Sequence, residues 1–242
     1  MSSLNILSGG AAQGLVASLT PQFKALTGLD IAGEFGAVGV MANKLRGGTP
    51  ADLIVLTSAL VEKLAHEGLV VPASISDVGT VETAIAVRAG DPLVASPDAD
   101  ALRAALIAAD AIFVPDIKAS TAGIHVARVL HELGIGEIVA ARLKISANGA
   151  TAMRHLAASS DKRPIGCTQS TEIISTPGVV LSGSLPPGCE LSTVYTAAVT
   201  TTAASARAAQ VLIDLLTGEE QQPLRTRAGF QSGRKSPGRS DR

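Results

Sequence analysis

The chain has 242 residues, a length at which one hydrophobic core commonly gives way to two smaller lobes. Hydrophobic residues make up 46% and aromatic residues only 2%, so aliphatic side chains must fill the core, which favours parallel strands covered by helices. The formal net charge of −1 and the scarcity of aromatic rings argue against a nucleic-acid partner, and no apolar run reaches the ~18 residues needed for membrane insertion.

Three strand-loop-helix units open the chain. Short apolar segments that end in small residues alternate with stretches of helical spacing that close on glycine. Such units in succession predict a parallel sheet with right-handed crossovers. The predicted strands are 4–7, 29–35 and 52–56, and the helices that follow them are 12–26, about 41–46 and 58–68.

A second series of elements occupies the middle of the chain. Predicted strands at 83–88 and 193–199 flank this section and are the expected connections between two lobes. We therefore expect lobe 1 to comprise residues 1–82 and 200–230 and lobe 2 to comprise residues 83–199. A tail at 231–242 has almost no apolar residues and is predicted to be disordered. The other predicted strands are 111–115, 164–167 and 179–182, and the other helices are 100–109, 121–133, 150–158 and 203–216.

Small-residue loops follow several predicted strands and lead into helices. The first N–H groups of a helix are unpaired and the macrodipole is positive there, so these ends attract anions. Capping and turning explain any one loop equally well. Four such loops at equivalent strand ends predict a shared site for a small anionic metabolite. The predicted ligand-binding residues are Ser8, Gly9, Gly10, Ala11, Ala37, Val38, Thr57, Ser58, Lys118, Ser120, Thr121, Ala122 and Gly149.

Metal and cofactor sites find little support in the sequence. The four histidines lack zincin spacing, and no Gly-x-Ser-x-Gly elbow occurs. Gly9 and Gly10 do not continue into a dinucleotide-binding Gly-x-Gly-x-x-Gly motif. Cys167 and Cys189 do not form a metal knuckle and are interpreted as free thiols or as one disulfide. We expect no metal and no cofactor.

The N-terminal residues show no basic start, apolar stretch or cleavage site. The chain as it stands is therefore expected to be cytoplasmic. A chain trimmed of its signal peptide would look the same and would be periplasmic.

Three segments resemble one known family. Residues 49–55, Thr-Pro-Ala-Asp-Leu-Ile-Val, look like that family's cleft-lining strand, residues 120–124 resemble its second-lobe helix start, and residues 228–230 resemble its C-terminus. Their order and spacing over residues 4–230 are similar to those of the type 2 periplasmic solute-binding proteins of the molybdate-binding branch. The resemblance implies an α/β, two-lobed type 2 periplasmic-binding-protein fold with a central interlobe cleft. It also implies a permease partner if the protein is exported.

The chain departs from the molybdate-binding pattern at the ligand positions. Receptors for this oxyanion use serine hydroxyls from two loops and a second-lobe tyrosine, where this chain has Ala11, Val38 and Gln169. It resembles instead a branch with Gln-x-x-Glu at 169–172 and Gly-x-Leu-Pro-Pro at 183–187. Aconitate isomerase belongs to the same broad family. The ligand is therefore expected to be an organic carboxylate rather than molybdate, with Gln169 among the binding residues.

Two functions remain open on the sequence alone. One is an isomerase of aconitate isomerase type, which removes and returns a proton beside a carboxylate, with His125, Glu172 and His155 as the candidate catalytic residues. Glu172 could equally cap a helix that begins there, and His125 could equally be a buried or capping histidine. The other function is a receptor for an ABC-type importer. Besides Lys118, the candidate carboxylate partners are Lys44, Arg46 and Arg154.

Overall fold

A computed structural model describes residues 3–231. The predicted disordered tail was wrong at Gln231, whose backbone pairs with that of Thr80, and positions 232–242 lie outside the described residues. The described chain alternates strands and helices, as expected for an α/β protein. The strands are β1 (Ser3–Gly9), β2 (Asp30–Gly36), β3 (Leu53–Thr57), β4 (Ser76–Arg88), β5 (Ala111–Pro115), β6 (Leu143–Ser146), β7 (Pro164–Gln169), β8 (Val179–Ser184) and β9 (Ser192–Val199). The helices are α1 (Gln13–Thr27), α2 (Val38–Arg46), α3 (Ser58–His66), α4 (Ala99–Ala108), α5 (Thr121–Glu132), α6 (Gly136–Val139), α7 (Gly149–Ala157), α8 (Ser170–Ile174), α9 (Ala206–Thr217) and α10 (Gln222–Arg227).

The described strands form a sheet in the order β2-β1-β3-β9-β4-β7-β5-β6, with β8 paired to β4. β1 pairs in parallel with β2 and β3, and β5 pairs in parallel with β6 and β7. The two parallel groups are joined by antiparallel pairs of β9 with β3 and of β4 with β9 and β7. The long β4 and its partner β9 therefore link two parallel βα assemblies.

Each assembly has its own hydrophobic core. One cluster of buried side chains draws on residues between 4 and 81 and between 195 and 230. Two further clusters draw only on residues between 84 and 189. We propose that these cores define the two lobes and that the chain crosses between them in β4 and β9.

Asp52 joins distant parts of the first assembly. Its side chain is 2% exposed and accepts hydrogen bonds from the backbone N–H groups of Asn5 and Ser205, both at 2.8 Å. Its carbonyl oxygen also accepts a hydrogen bond from the N–H of Thr200 at 3.0 Å. A buried carboxylate needs such partners, and these bonds fix β3 beside β1 and the start of α9.

The largest departure from the predicted elements is the length of β4, which begins at Ser76 rather than near residue 83. A bulge between Asp77 and Gly79 interrupts its register with β9, and Gly79 has φ +151°, which only glycine adopts readily. A side chain at position 79 would also press on Phe230. Across the described residues, no helix is both long and apolar enough to cross a bilayer.

Candidate functional site

The loops at the carboxyl ends of the parallel strands in the two lobes meet each other. The N–H of Gly39, at the start of α2, donates to the carbonyl of Ala119, just before α5, with an N···O distance of 3.4 Å. Gly10, after β1, lies against the carboxylate of Glu172 on α8. Ligands of α/β proteins bind at this end of the strands. The interlobe contacts place the candidate site between these loops, with the lobes closed on each other.

Several helices begin at this end of the strands. Helices α2, α3 and α5 begin without a side-chain cap. Their first N–H groups therefore receive no hydrogen-bond partner from an N-cap side chain. They can donate to an anion or to a carbonyl group of the opposite lobe. Helix α7 is different, because the Asn148 side chain accepts the N–H of Thr151 at 2.9 Å.

Glu172 occupies the centre of the candidate site. Its carboxylate is 5% exposed and accepts a hydrogen bond from Thr168 Oγ1 at 2.5 Å. It also accepts hydrogen bonds from the backbone N–H groups of Gln169, Gly149 and Ala150. The bond to Gln169 is the return half of a capping box for α8, and the other two bonds cap α7. Burial raises the pKa of Glu172, and the hydrogen bonds oppose that rise only in part.

Two glycines make room for this carboxylate. A Cβ on Gly149 would lie 1.9 Å from Glu172 Oε2, and one on Gly10 would lie 2.3 Å from Oε1. Real Cβ atoms essentially never approach other atoms so closely. The carboxylate is therefore held between a loop of the first lobe and a helix N-terminus of the second.

Tyr195 on β9 forms the neighbouring wall. Its ring is 3% exposed, and a Cβ on Gly9 would lie 2.9 Å from Cε1 of the ring and 2.8 Å from Val38 Cγ1. Burial, and secondly the charge of Glu172, raise the pKa of the phenol, while the Gln169 amide beside it opposes the rise. The amide is not aligned for a hydrogen bond with the phenol, and neither of its polar atoms has a hydrogen-bond partner in the described structure.

The predicted ligand-binding residues divide into three groups by exposure. Ser8, Gly9, Gly10, Ala11, Ala37, Val38, Ala122, Gly149 and Gln169 are buried, Thr57, Ser58, Ser120 and Thr121 are partly exposed, and Lys118 is exposed. The hydroxyl of Ser8 donates to the carbonyl of Gly9 at 2.9 Å, and that of Ser58 donates to Glu62 at 3.2 Å. Both hydroxyls are thus engaged within their own lobe.

Of the three candidate proton carriers, only Glu172 lies in this cluster. His125 is buried, with Nε2 2.8 Å from the carbonyl of Cys189 and Nδ1 3.1 Å from the guanidinium of Arg128. His155 is exposed on α7 and lies 3.0 Å from the hydroxyl of Ser146. Both histidines are held by contacts outside the cluster around Glu172.

The candidate cations are also engaged or exposed. Lys44 pairs with Glu34, and Arg46 pairs with Glu67. Arg154 donates to the hydroxyl of Thr151 at 2.8 Å. Backbone N–H groups and hydroxyls, rather than these side chains, are therefore the donors nearest to Glu172.

Three residues of the cluster were missed at the level of sequence. Tyr195 is the only tyrosine, but its place beside Glu172 depends on the pairing of β9 with β3 and β4. The Thr168 hydroxyl and the Ala150 N–H reach Glu172 through the packing of α7 and α8. The spacing of four residues between Thr168 and Glu172 is the one local sequence signal of this contact.

Neither metal ligation nor thiol chemistry stands out in the described region. No cluster of three or more His, Cys, Asp or Glu side chains there could hold a metal ion. Cys167 and Cys189 are both buried free thiols, and burial raises the pKa of Cys167 to about 12. The Cys167 thiol is therefore protonated and unreactive at neutral pH.

Comparisons with known proteins agree with this architecture. The pattern of the bacterial extracellular solute-binding protein family matches residues 4–231. An aconitate isomerase from a Pseudomonas species is 27% identical over 231 residues, covering 91% of this chain and 84% of that protein. The periplasmic molybdate-binding protein of Azotobacter vinelandii aligns with a TM-score of 0.80 at 19% identity, covering 96% of this chain and 100% of that chain. A sulfate-binding protein from Mycobacterium tuberculosis aligns with a TM-score of 0.75 at 19% identity, covering 97% of this chain and 88% of that chain. The chain therefore belongs to the bacterial extracellular solute-binding proteins and has the two-lobed type 2 periplasmic-binding-protein fold with a central cleft.

Proposed function

We propose that this protein isomerises a small carboxylate in the interlobe cleft, with Glu172 as the proton carrier. The observation that carries the proposal is the burial of an ionisable carboxyl group between the lobes, with its pKa raised. A carboxyl group in a cleft whose pKa is raised by burial is a typical candidate for acid–base catalysis.

The reaction requires one proton to leave and one to return. As a carboxylate, Glu172 takes a proton from the carbon next to a substrate carboxylate, and the electron pair moves into the adjacent double bond. As a carboxylic acid, it returns the proton to the carbon at the far end of the allylic system. A raised pKa brings the two forms closer in energy near neutral pH, as a shuttle between them requires. Backbone donors at the helix N-termini stabilise the negative charge of the intermediate.

The relative of known activity supports this choice of reaction. The Pseudomonas protein named aconitate isomerase aligns with 91% of this chain, including the lobes that form the cleft. We take cis- and trans-aconitate as the first substrates to test.

The test follows isomerisation and deuterium incorporation in heavy water by proton NMR. The wild type should interconvert cis- and trans-aconitate and exchange one carbon-bound hydrogen. Glu172→Gln keeps the size of the side chain but cannot carry the proton, so turnover should fall by ~10²–10⁴-fold while calorimetry shows little change in substrate affinity. The matched control is Glu219→Gln, because Glu219 is an exposed carboxylate with no part in the cleft.

Two outcomes contradict the catalytic role. Unchanged turnover in Glu172→Gln would make Glu172 a capping residue only. Equal losses of affinity and turnover would assign it to ligand binding or folding.

The second candidate is a solute receptor for an ABC-type importer, and the family itself favours it. The contacts of Gly39 with Ala119 and of Gly10 with Glu172 then serve only to close the lobes on a small anion. Such a receptor acts outside the cytoplasm beside a permease. Tight binding of a carboxylate by the wild type, without isomerisation or deuterium exchange, would favour the receptor over the enzyme.

A further inference from the structure

Unpaired polar atoms are concentrated at one place in the sheet. In the described structure, the hydroxyl of Thr83, both polar atoms of the Gln169 amide and the hydroxyl of Thr193 are buried without a hydrogen-bond partner. The three residues are 1%, 2% and 8% exposed, respectively. Buried polar atoms nearly always have partners, because an unpaired one loses its water without compensation. Four such atoms together therefore require an explanation.

Strand register places these side chains on one face. Thr83 on β4 lies directly opposite Gln169 on β7, and opposed residues project to the same side of a sheet. Thr193 on β9 lies opposite Val81, which is two residues from Thr83 and so shares its face. The side chains of Thr83, Gln169 and Thr193 thus form a row across the strands that join the lobes.

The row continues into the candidate site. Tyr195 follows Thr193 by two residues and projects from the same face, and its ring reaches the Gly9 loop of the first lobe. Gln169 lies beside the Tyr195 hydroxyl and directly precedes α8, which carries Glu172. The row therefore meets the candidate site at Gln169 and Tyr195.

We propose that Thr83, Gln169 and Thr193 form a ligand subsite for an O–H group, the hydroxyl of a hydroxycarboxylate or a protonated carboxyl. The proposal rests on the proposed binding of a carboxylate in the cleft. A threonine hydroxyl both donates and accepts, and the glutamine amide has a donor N–H₂ and an acceptor oxygen. An ionised carboxylate offers only acceptors, which would leave Gln169 Oε1 unpaired beside a buried negative charge. A ligand O–H group satisfies both kinds of partner.

Calorimetry with two matched probes tests the subsite. Citrate and tricarballylate differ by one hydroxyl, and at pH 7.5 the wild type should bind citrate at least ~10-fold more tightly, as expected for the hydrogen bonds of one hydroxyl group. The preference should fall to about 1 in Gln169→Leu and Thr193→Val. A repeat with tricarballylate at pH 5.5 in the wild type and in Gln169→Leu distinguishes the two sources of an O–H group. Protonation of Glu172 acts in both proteins, whereas a protonated carboxyl at the subsite strengthens binding only where Gln169 is present.

Thermal unfolding without ligand supplies an independent readout. Thr193→Val removes an unpaired hydroxyl with little change of shape, so Tm should stay the same or rise. The matched control is Thr196→Val on the same strand, because Thr196 faces the other way and donates to Asp77 Oδ1 at 2.6 Å. This control should lower Tm by about 2–4 °C and leave the citrate preference intact.

The outcomes separate this proposal from the proposed function. If citrate and tricarballylate bind equally well at pH 7.5, and tricarballylate gains no more affinity at pH 5.5 in the wild type than in Gln169→Leu, the subsite is wrong while carboxylate binding stands. If Thr193→Val lowers Tm as much as Thr196→Val does, Thr193 is structural and the subsite is again wrong. If neither probe nor aconitate binds, carboxylate binding in the cleft fails and the subsite fails with it.

Discussion

At the scale of a single residue, Gly149 shows that the cleft needs a residue without a side chain at this position. Alanine is normally better than glycine in a helix by up to ~1 kcal/mol. Here the added Cβ would lie 1.9 Å from Glu172 Oε2 and 2.2 Å from Thr168 Oγ1. We expect Gly149→Ala to lower the free energy of unfolding by about 1–3 kcal/mol in urea titrations, because the carboxylate must move. Gly183→Ala is the control, since a Cβ there would meet no atom within 4 Å. A stabilised Gly149→Ala variant would refute this packing.

The pKa of Glu172 predicts a pH-dependent stability. Burial raises this pKa above its ordinary value of 4.5, so the folded protein holds the proton more tightly than the unfolded chain. The resulting stability is fully present below pH 4.5 and is lost as the pH rises through the folded-state pKa. The amide in Glu172→Gln cannot ionise, so this variant does not lose that stability as the pH rises. Urea titrations from pH 4 to pH 8 should therefore show the variant gaining stability relative to the wild type as the pH rises. A constant difference would mean that Glu172 titrates normally.

At the scale of elements, strong hydrophobic periodicity correctly predicted most strands and helices. Most strands and helices of both lobes were predictable, and the predicted helices bury an apolar face. Four elements gave no such signal. β6 is a short, mostly exposed edge strand, and α6 has only four residues. α8 is five residues rich in β-branched and polar side chains, and α10 begins with proline in its first turn. Tertiary packing and capping by Glu172 form these elements rather than local propensity.

The candidate site was predictable only where it is local in sequence. The loops after β1, β2, β3 and β5 could be identified from small residues at strand ends. Gln169 and Glu172 were identified from a Gln-x-x-Glu segment that resembles one branch of the family. Thr83, Thr193 and Tyr195 could not, because the pairings of β4 with β9 and β7 bring together positions about a hundred residues apart. Register of this kind depends on the whole sheet rather than on any short motif.

The N-terminus of α7 permits a prediction about an element. Asn148 caps α7 by accepting the N–H of Thr151, and Asp98 caps α4 by accepting the N–H of Ala101 at 2.8 Å. Replacing either residue by alanine should cost ~1 kcal/mol of unfolding free energy. Only Asn148→Ala should also weaken aconitate turnover, because the next two N–H groups of α7 bind Glu172. Equal turnover in the two variants would show that the Asn148 cap of α7 has no effect on the candidate site.

At the scale of the whole molecule, the shared fold and the ligand are separate matters. The chain superposes on a molybdate-binding protein with a TM-score of 0.80, yet the identity is 19%. A fold shared at this level fixes where the cleft lies but not what it holds. The chemistry must come from the side chains and backbone donors that reach the cleft in this chain.

Those groups predict that the protein binds molybdate weakly or not at all. Ala11 and Val38 carry no hydroxyl, so two expected donors to a tetrahedral oxyanion are missing. The N–H groups of Gly149 and Ala150 already bond to the Glu172 carboxylate, whose negative charge would also repel a dianion. Calorimetry should detect no submicromolar binding of molybdate or sulfate, and 1 mM of either should leave Tm unchanged. Glu172→Gln removes the charge but keeps the bulk of the side chain, so it should still bind both oxyanions weakly. Submicromolar affinity in the wild type would show that backbone donors alone suffice and that Glu172 moves away when an anion enters.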